Sequence, residues 1–389
     1  MKLRFGNGTA PSGAPHDDYF HPAVAVLGDG RWLLTRQRLL DGSDRYDTPE
    51  VLWSTDGGQT WSAPQEMGEL RVQRLANGQA VGVCDVRPFA SPDGGKVVVI
   101  GCDSVYSNGT SYSYDKQSKP MPADLRCGAT YTVYDASRGV FGPRRRLRPP
   151  ELPASEFWRV ACAQVAFTSE GDWIVPAYCS TGELVDFFGY PSPRCAVQTM
   201  KARLEGDELV PVAWGGLLRH DVQRGFVEPS VVRHGGKYLL TIRAEDGRAY
   251  VSVSEDGLAW QPPREWRFDD GAPLETDTTQ QHWAVVAGRL FLAYTRKNEW
   301  NAKLYRFRSP MYIAEVALAG ETPALMRASE QVLFPRRLRG EEDGQVGNFH
   351  VCSLPDGSAI ASDAYLYAHR PDGSEGIWTE STIVRVRGE

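Results

Sequence analysis

One pattern recurs six times along this chain and leaves few folds open to it. A short apolar strand runs into a Gly/Asp turn, and a second, more hydrophobic strand follows. The copies read HPAVAVLGDGRWLLTRQR from His21, VRPFASPDGGKVVVIGCD from Val86 and CAQVAFTSEGDWIVPAYCS from Cys162. They continue as EPSVVRHGGKYLLTIRAED from Glu228, QHWAVVAGRLFLAYTRK from Gln281 and NFHVCSLPDGSAIASDAY from Asn348. Glycine and aspartate between apolar runs supply the positive φ that a tight hairpin requires. Third strands follow, such as EVLWS (Glu50–Ser54), ATYTVYD (Ala129–Asp135), RAYVSVS (Arg248–Ser254) and MYIAEVA (Met311–Ala317). A sheet of three or four such strands cannot bury both faces alone, so neighbouring sheets must stack. Radial stacking does this with few open edges. The expected fold is all-β, a six-bladed β-propeller forming a single domain over 1–389. Its blades fall near 20–65, 84–147, 158–215, 224–265, 279–330 and 345–388, with 1–6 pairing 382–388 to close the ring.

Composition adds limits. Aromatic residues at 11%, with 39 Gly and 26 Pro, suit many short strands and turns. A net charge of −6 with no basic run argues against a nucleic-acid partner. No apolar run reaches membrane-spanning length, so no membrane partner is expected. MKLRFGNGTAPSG has no apolar signal region, and the expected location is cytoplasmic. The seven Cys include no CxxC pair, and several lie in apolar runs, where they read as buried thiols of a reducing compartment.

Residues Ser54–Trp61 read STDGGQTW and fit the Asp-box, S-x-D-x-G-x-T-W; SEDGLAW (Ser254–Trp260) is one residue shorter, and YDASRGVFG (Tyr134–Gly142) is a decayed third. In such a turn the Ser and Asp side chains bond backbone N–H groups, the glycines adopt conformations closed to other residues, and Trp61 plugs the turn. The motif is a folding device on the blade periphery. On these residues the chain resembles the sialidase superfamily, the Asp-box or BNR-repeat propellers, over nearly its whole length. The stretch EPSVVRHGGKYLLTIRAEDGRAYVSVSEDG is similar to the blade where sialidases keep a glutamate and a carboxylate-binding arginine. The resemblance implies those roles for Glu228 and Arg243. It also places an acid/base aspartate in the loop of Asp41, Asp44 and Asp47. Two departures stand out. Phe20-His21-Pro22 replaces the family's Arg-Ile-Pro, so His21 stands where the first clamping arginine would be. The last blade reads GNFHVCSLPDG, with Asn348 and His350 near the place of the nucleophilic tyrosine.

In a propeller the innermost strands line the channel, and their leading ends converge on one face. That face collects His21, Arg87, Arg159, Glu228, Gln281, His282, Asn348 and His350. The ends of the second strands add Arg36 or Arg38, Asp103, Arg243, Glu245, Arg296 and Asp363. Glycosidases work with two carboxyl groups across a sugar. Glu228 with Asp41 or Asp44 is the expected pair; otherwise Glu228 only pairs Arg243. Arg243 with Arg296 and Arg306 or Arg308, together with Arg38 and Arg159, are expected to bind an anionic group by bidentate bonds, the alternative being salt bridges between blades. His21 is a candidate base, because its ordinary pKa suits neutral pH. Gln281, His282, His350 and Asn348 are expected to line the substrate. No cofactor is expected. Were a divalent metal bound, His21, His282 and His350 would be the ligand set. Trp283 and Trp300 are expected near the mouth, to stack on a sugar ring.

The leading expectation is a sialidase-like exo-acting glycoside hydrolase on an anionic or uncommon sugar, with no tyrosine nucleophile. The alternatives are a lyase on a uronic-acid sugar with a histidine base, and a non-catalytic sugar-binding propeller. In each case the partner is a small-molecule or oligosaccharide ligand.

Overall fold

Each Gly/Asp turn of the repeat closes a hairpin, and each hairpin founds a sheet. The computed structural model describes residues 1–8, 18–40, 45–107, 110–111, 129–147, 149, 157–187, 190–318, 320, 322–370 and 372–389. Within them the chain is all-β and builds a six-bladed propeller. From the axis outwards, blade 1 runs Tyr19–Val26, Trp32–Arg38, Glu50–Ser54 and Gln65–Glu66. Blade 2 runs Ala80–Ala90, Lys96–Ser107, Ala129–Asp135 and Arg145–Leu147. Blade 3 has a broken inner strand, Trp158–Arg159 and Ala166–Phe167, then Trp173–Phe187, Tyr190–Glu205 and Glu208–Trp214. Blade 4 runs Phe226–His234, Lys237–Ala244, Ala249–Ser254 and Arg264–Glu265. Blade 5 runs His282–Val286, Arg289–Thr295 and Met311–Ala317, edged by Ala324–Leu325 and Gln331–Phe334. Blade 6 takes His350–Ser353, Ala359–His369 and Glu375–Gly388, and its outer strand is Leu3–Gly8, paired antiparallel from Leu3↔Gly388 to Gly8↔Ile383.

The core lies between blades, because each sheet alternates side chains to both faces. Val51 and Val97 meet between blades 1 and 2, Ile100 and Trp173 between 2 and 3, Ile174 and Leu240 between 3 and 4. Trp266 meets Trp283 between blades 4 and 5, Phe291 and Tyr365 join 5 to 6, and Val24 with Ile360 returns from 6 to 1. Burying one such large side chain contributes about 3 kcal/mol.

The Asp-boxes sit in the turns after the third strands. In the first, Asp56 Oδ1 accepts the Gln59 and Thr60 N–H groups at 2.9 Å each, and its other oxygen accepts the Thr60 hydroxyl at 2.6 Å. These bonds, the Thr60 hydroxyl first, hold the carboxyl down to about 2. Asp256 repeats the device with Leu258 and Ala259. Trp61 packs edge-on against Trp32 at 6.4 Å.

The channel is plugged by one side chain. Gln164, from blade 3, donates to the Trp283 carbonyl at 2.9 Å and to the Val351 carbonyl at 2.8 Å. Its Oε1 accepts the Trp283 N–H at 2.6 Å. One amide thus ties blades 3, 5 and 6 across the axis, below the mouth.

Candidate active site

The inner strands of blades 1, 2 and 4 each break register once near the mouth: between Phe20 and Ala23, Cys84 and Arg87, and Val227 and Ser230. The break in blade 3 splits its inner strand around Cys162. At these four places the chain takes a positive φ on a residue that is not glycine: His21 (56°), Asp85 (56°), Cys162 (49°) and Glu228 (46°). Each such residue costs on the order of 1–3 kcal/mol and persists only where its surroundings over-determine it. A bulge re-aims one side chain out of the alternation. Four bulges at matching places aim His21, Asp85, Cys162 and Glu228 at one basin.

Hydrogen bonds fix their states. Arg87, 1% exposed, donates Nη2–H to His21 Nδ1 at 2.9 Å. Guanidinium has only donors, so Nδ1 is the acceptor and the imidazole proton sits on Nε2. Nε2 faces Asp85 Oδ1 at 3.1 Å and the Tyr46 hydroxyl at 3.0 Å. Burial, then the Arg87 charge, pushes the His21 pKa well below its ordinary value, so the ring is neutral. His21, Asp85 and Cys162 also form the one group among the described residues with the proximity and chemistry of a metal set, their donor atoms within 4.8 Å of one another. They do not fit an ion as they stand: Nε2 carries a proton, and Arg87 Nη2 lies 3.8 Å from Cys162 Sγ. Burial, with Asp85 and Glu228 nearby, raises the Cys162 thiol well above its usual range and keeps it protonated.

On the opposite side Arg243 Nη1 donates to Glu228 Oε1 at 2.6 Å, its Nε donates to the Thr278 hydroxyl at 2.9 Å, and Nη2 lies 3.6 Å from Glu245. Burial pushes the Glu228 carboxyl up, but the charge and hydrogen bond of Arg243, with the charges of Arg224 and Arg308, together outweigh it and leave Glu228 below its ordinary range and ionised. Glu245 in turn holds Arg224. Arg306 and Arg308 arrive from the turn between the second and third strands of blade 5. Asn301, fully buried, braces that turn by donating to the carbonyls of Arg296 at 2.9 Å and Ser309 at 3.0 Å. Burial and the neighbouring Arg243 lower both guanidinium groups, Arg306 to about 10. Arg308 runs across Gly347, whose φ of +117° and missing side chain make room for it. Behind it lies Asp363, whose carboxyl burial raises to about 7 although it accepts the Gly347 and Ala364 N–H groups at 2.7 Å each. Arg159 stands opposite Tyr178 in register, and the two interact beside Phe157.

Of the residues singled out from sequence, the structure brings together His21, Arg159, Glu228, Arg243 and Asn348; the Asn348 carbonyl accepts from Arg87 at 3.3 Å. Arg38 is exposed at the end of its strand. Arg296 lies apart, clamped on both oxygens of Glu330. Gln281 is buried at the seam of blades 4 and 5, bonded to Thr241 at 3.0 Å. His282 and His350 lie deeper than the mouth, with ring centres 6.5 Å apart. His282 is engaged on both nitrogens, by Ser230 at 2.8 Å and Gln280 at 2.9 Å, and burial depresses both rings, His350 to about 3. Trp283, expected at the mouth, is instead 1% exposed in the wall between blades 4 and 5, because its indole N–H bonds the Ser230 carbonyl there. Trp300 is exposed under Arg336. Asp41 and Asp44 lie outside the described residues. Sequence reasoning missed Asp85 and Tyr178 as mouth residues, and the mouth role of Cys162. The one signal for Asp85 was a lone carboxylate inside the apolar run VGVCDVRPF.

Neither a protein-family model nor a curated protein matches the sequence. Solved structures do. Trypanosoma rangeli sialidase in complex with the inhibitor DANA aligns over 96% of this chain and 55% of its own, at 14% identity and a TM-score of 0.59. This chain thus spans about half the length of that enzyme. A Hadza microbial sialidase aligns over 94% of this chain and 66% of its own, at 14% identity and a TM-score of 0.61. A protein of unknown function from Dyadobacter fermentans aligns over 99% of both chains, at 15% identity and a TM-score of 0.64. What the chain shares with them is the fold, a sialidase-like propeller.

Proposed function

We propose that this chain is an exo-acting glycoside hydrolase whose substrate is an anionic sugar, and that its chemistry runs on carboxylates without a tyrosine nucleophile. One observation carries the reading. Four arginines of the basin, Arg87, Arg159, Arg306 and Arg308, have no carboxylate at ion-pair distance among the described residues. Buried and half-buried cations without counter-charge are costly, and a bound anion offsets that cost. Guanidinium forks suit a carboxylate in particular. The Gln164 amide that crosses the axis stands in the way of a polymer threading the channel, which favours exo action. Glu228, kept ionised by Arg243, supplies negative charge for an oxocarbenium-like transition state. Asp41 and Asp44 stay our candidates for the proton donor to the leaving oxygen. Elimination by a histidine base is disfavoured, since His21 has one nitrogen occupied by Arg87 and the other protonated.

The test is release of 4-methylumbelliferone from α-glycosides of N-acetylneuraminic acid and other nonulosonic acids and from a glucuronide, against a neutral arabinofuranoside. Turnover is expected on an anionic glycoside, and Arg308→Gln should raise its KM by about tenfold or more. Turnover confined to the neutral glycoside, an ultraviolet-absorbing unsaturated product, or tight sugar binding without release would each defeat the reading.

A further inference from the structure

The bulge in blade 2 brings a second carboxylate to the basin. Asp85 occupies the place in blade 2 that Glu228 occupies in blade 4, with φ 56° against 46°. Their side chains are 18% and 16% exposed, while the strands that carry them are mostly buried. The bulge is clamped on both flanks by one fully buried side chain: Gln37 donates to the Val83 carbonyl at 2.6 Å and accepts the Val86 N–H at 3.2 Å. Both carboxylates act on the Cys162 thiol and the Tyr178 hydroxyl, so all four groups share one field.

Asp85 also has a fixed neighbour. Arg87 holds His21 Nδ1, so the imidazole proton sits on Nε2, which bonds the Tyr46 hydroxyl at 3.0 Å and lies 3.1 Å from Asp85 Oδ1. The pair Arg87–His21 thus sets a neutral ring edge beside the carboxylate. Glu228 gives Oε1 to a guanidinium. Two carboxylates at one basin can take different tasks. Resting on the hydrolase reading above, we infer that Asp85 is the general base of this site. Its carboxylate takes a proton from water as the water oxygen bonds the anomeric carbon. The bond from that carbon to the aglycone oxygen breaks, and its electron pair leaves with that oxygen. A phenolic aglycone departs as phenolate and takes a proton from solvent, and Asp85 returns its own proton to solvent. One water is consumed per glycoside.

The experiment uses the full chain and whichever fluorogenic glycoside the wild type cleaves. Asp85→Asn keeps the shape, so melting temperature should hardly move. Its kcat should fall by about a hundredfold or more with KM within about threefold, and the acid limb of the pH profile should vanish. Asp85→Ala should regain activity with molar sodium formate, which a residue serving only to anchor His21 would not do. Undiminished kcat in Asp85→Asn, or loss without formate rescue and with an unchanged acid limb, overturns the inference and leaves the hydrolase reading intact. A wild type that cleaves no glycoside of the panel overturns both.

Discussion

At the scale of the residue, glutamines do at the axis what strand partners do elsewhere. Gln164 satisfies three backbone groups of blades 5 and 6, Gln37 two of the Asp85 bulge, and Gln280 bonds the Gly347 carbonyl at 2.6 Å. Gln164→Leu keeps the volume and removes the bonds, leaving one N–H and two carbonyls buried without partners. The expected loss is about 3 kcal/mol, read as a lower urea midpoint at unchanged m-value; an unchanged midpoint would show that water replaces the amide. Residues of this kind were the hardest to read from the chain. Glu228 and Arg243 were legible, because a carboxylate opens a repeat and an arginine ends the next strand. Asp85 and Cys162 were not, since VGVCDVRPF and VACAQVAF read as core strands. Only the bulge turns those side chains out of the core, and a bulge leaves no mark on an apolar pattern.

At the scale of the element, hairpins were legible because glycine marks them, and the Asp-box because its residues bond within one turn. The turn's demands differ from glycine to glycine. Gly30 and Gly58 both have positive φ, 86° and 83°, but a side chain at Gly30 meets open space while one at Gly58 would lie 2.7 Å from the Trp32 ring. Gly30→Ala should cost about 1 kcal/mol from the backbone alone, and Gly58→Ala distinctly more, about 2 kcal/mol or above. Equal shifts in chemical denaturation would mean that Trp32 gives way freely. Arg306 and Arg308 were legible as candidate anion-binding residues, but the turn of blade 5 that carries them was not, because its geometry rests on Asn301 reaching carbonyls on both sides of it, a long-range matter of packing.

At the scale of the whole molecule, the six-fold repeat dictated the ring, and the ring's interior dictates a response to acid. Burial lowers the folded pKa of His21, His282 and His350. Below the ordinary histidine value of about 6.5 the unfolded chain binds three protons that the folded chain refuses, so stability falls as pH falls. Asp363, raised to about 7, works in the other direction between there and its ordinary 3.8. These four groups leave a balance of two protons, a loss of about 2.7 kcal/mol per pH unit between roughly pH 6 and 4.5, and His234, also lowered by burial, adds to it. Urea titrations at pH 7, 6 and 5 measure it; a flat or rising stability across that range would contradict the protonation states assigned here.

The seam of the ring has its two pull-tabs at the same end. Leu3 faces Gly388 across the outer pair of blade 6, and the Glu389 N–H bonds the Lys2 carbonyl at 3.0 Å. Force applied to residues 2 and 389 therefore peels that ladder one bond at a time and never loads it all in shear. A pull on these two residues opens the ring like a zipper, starting with the blade that shuts it, whereas heat must loosen six walls together.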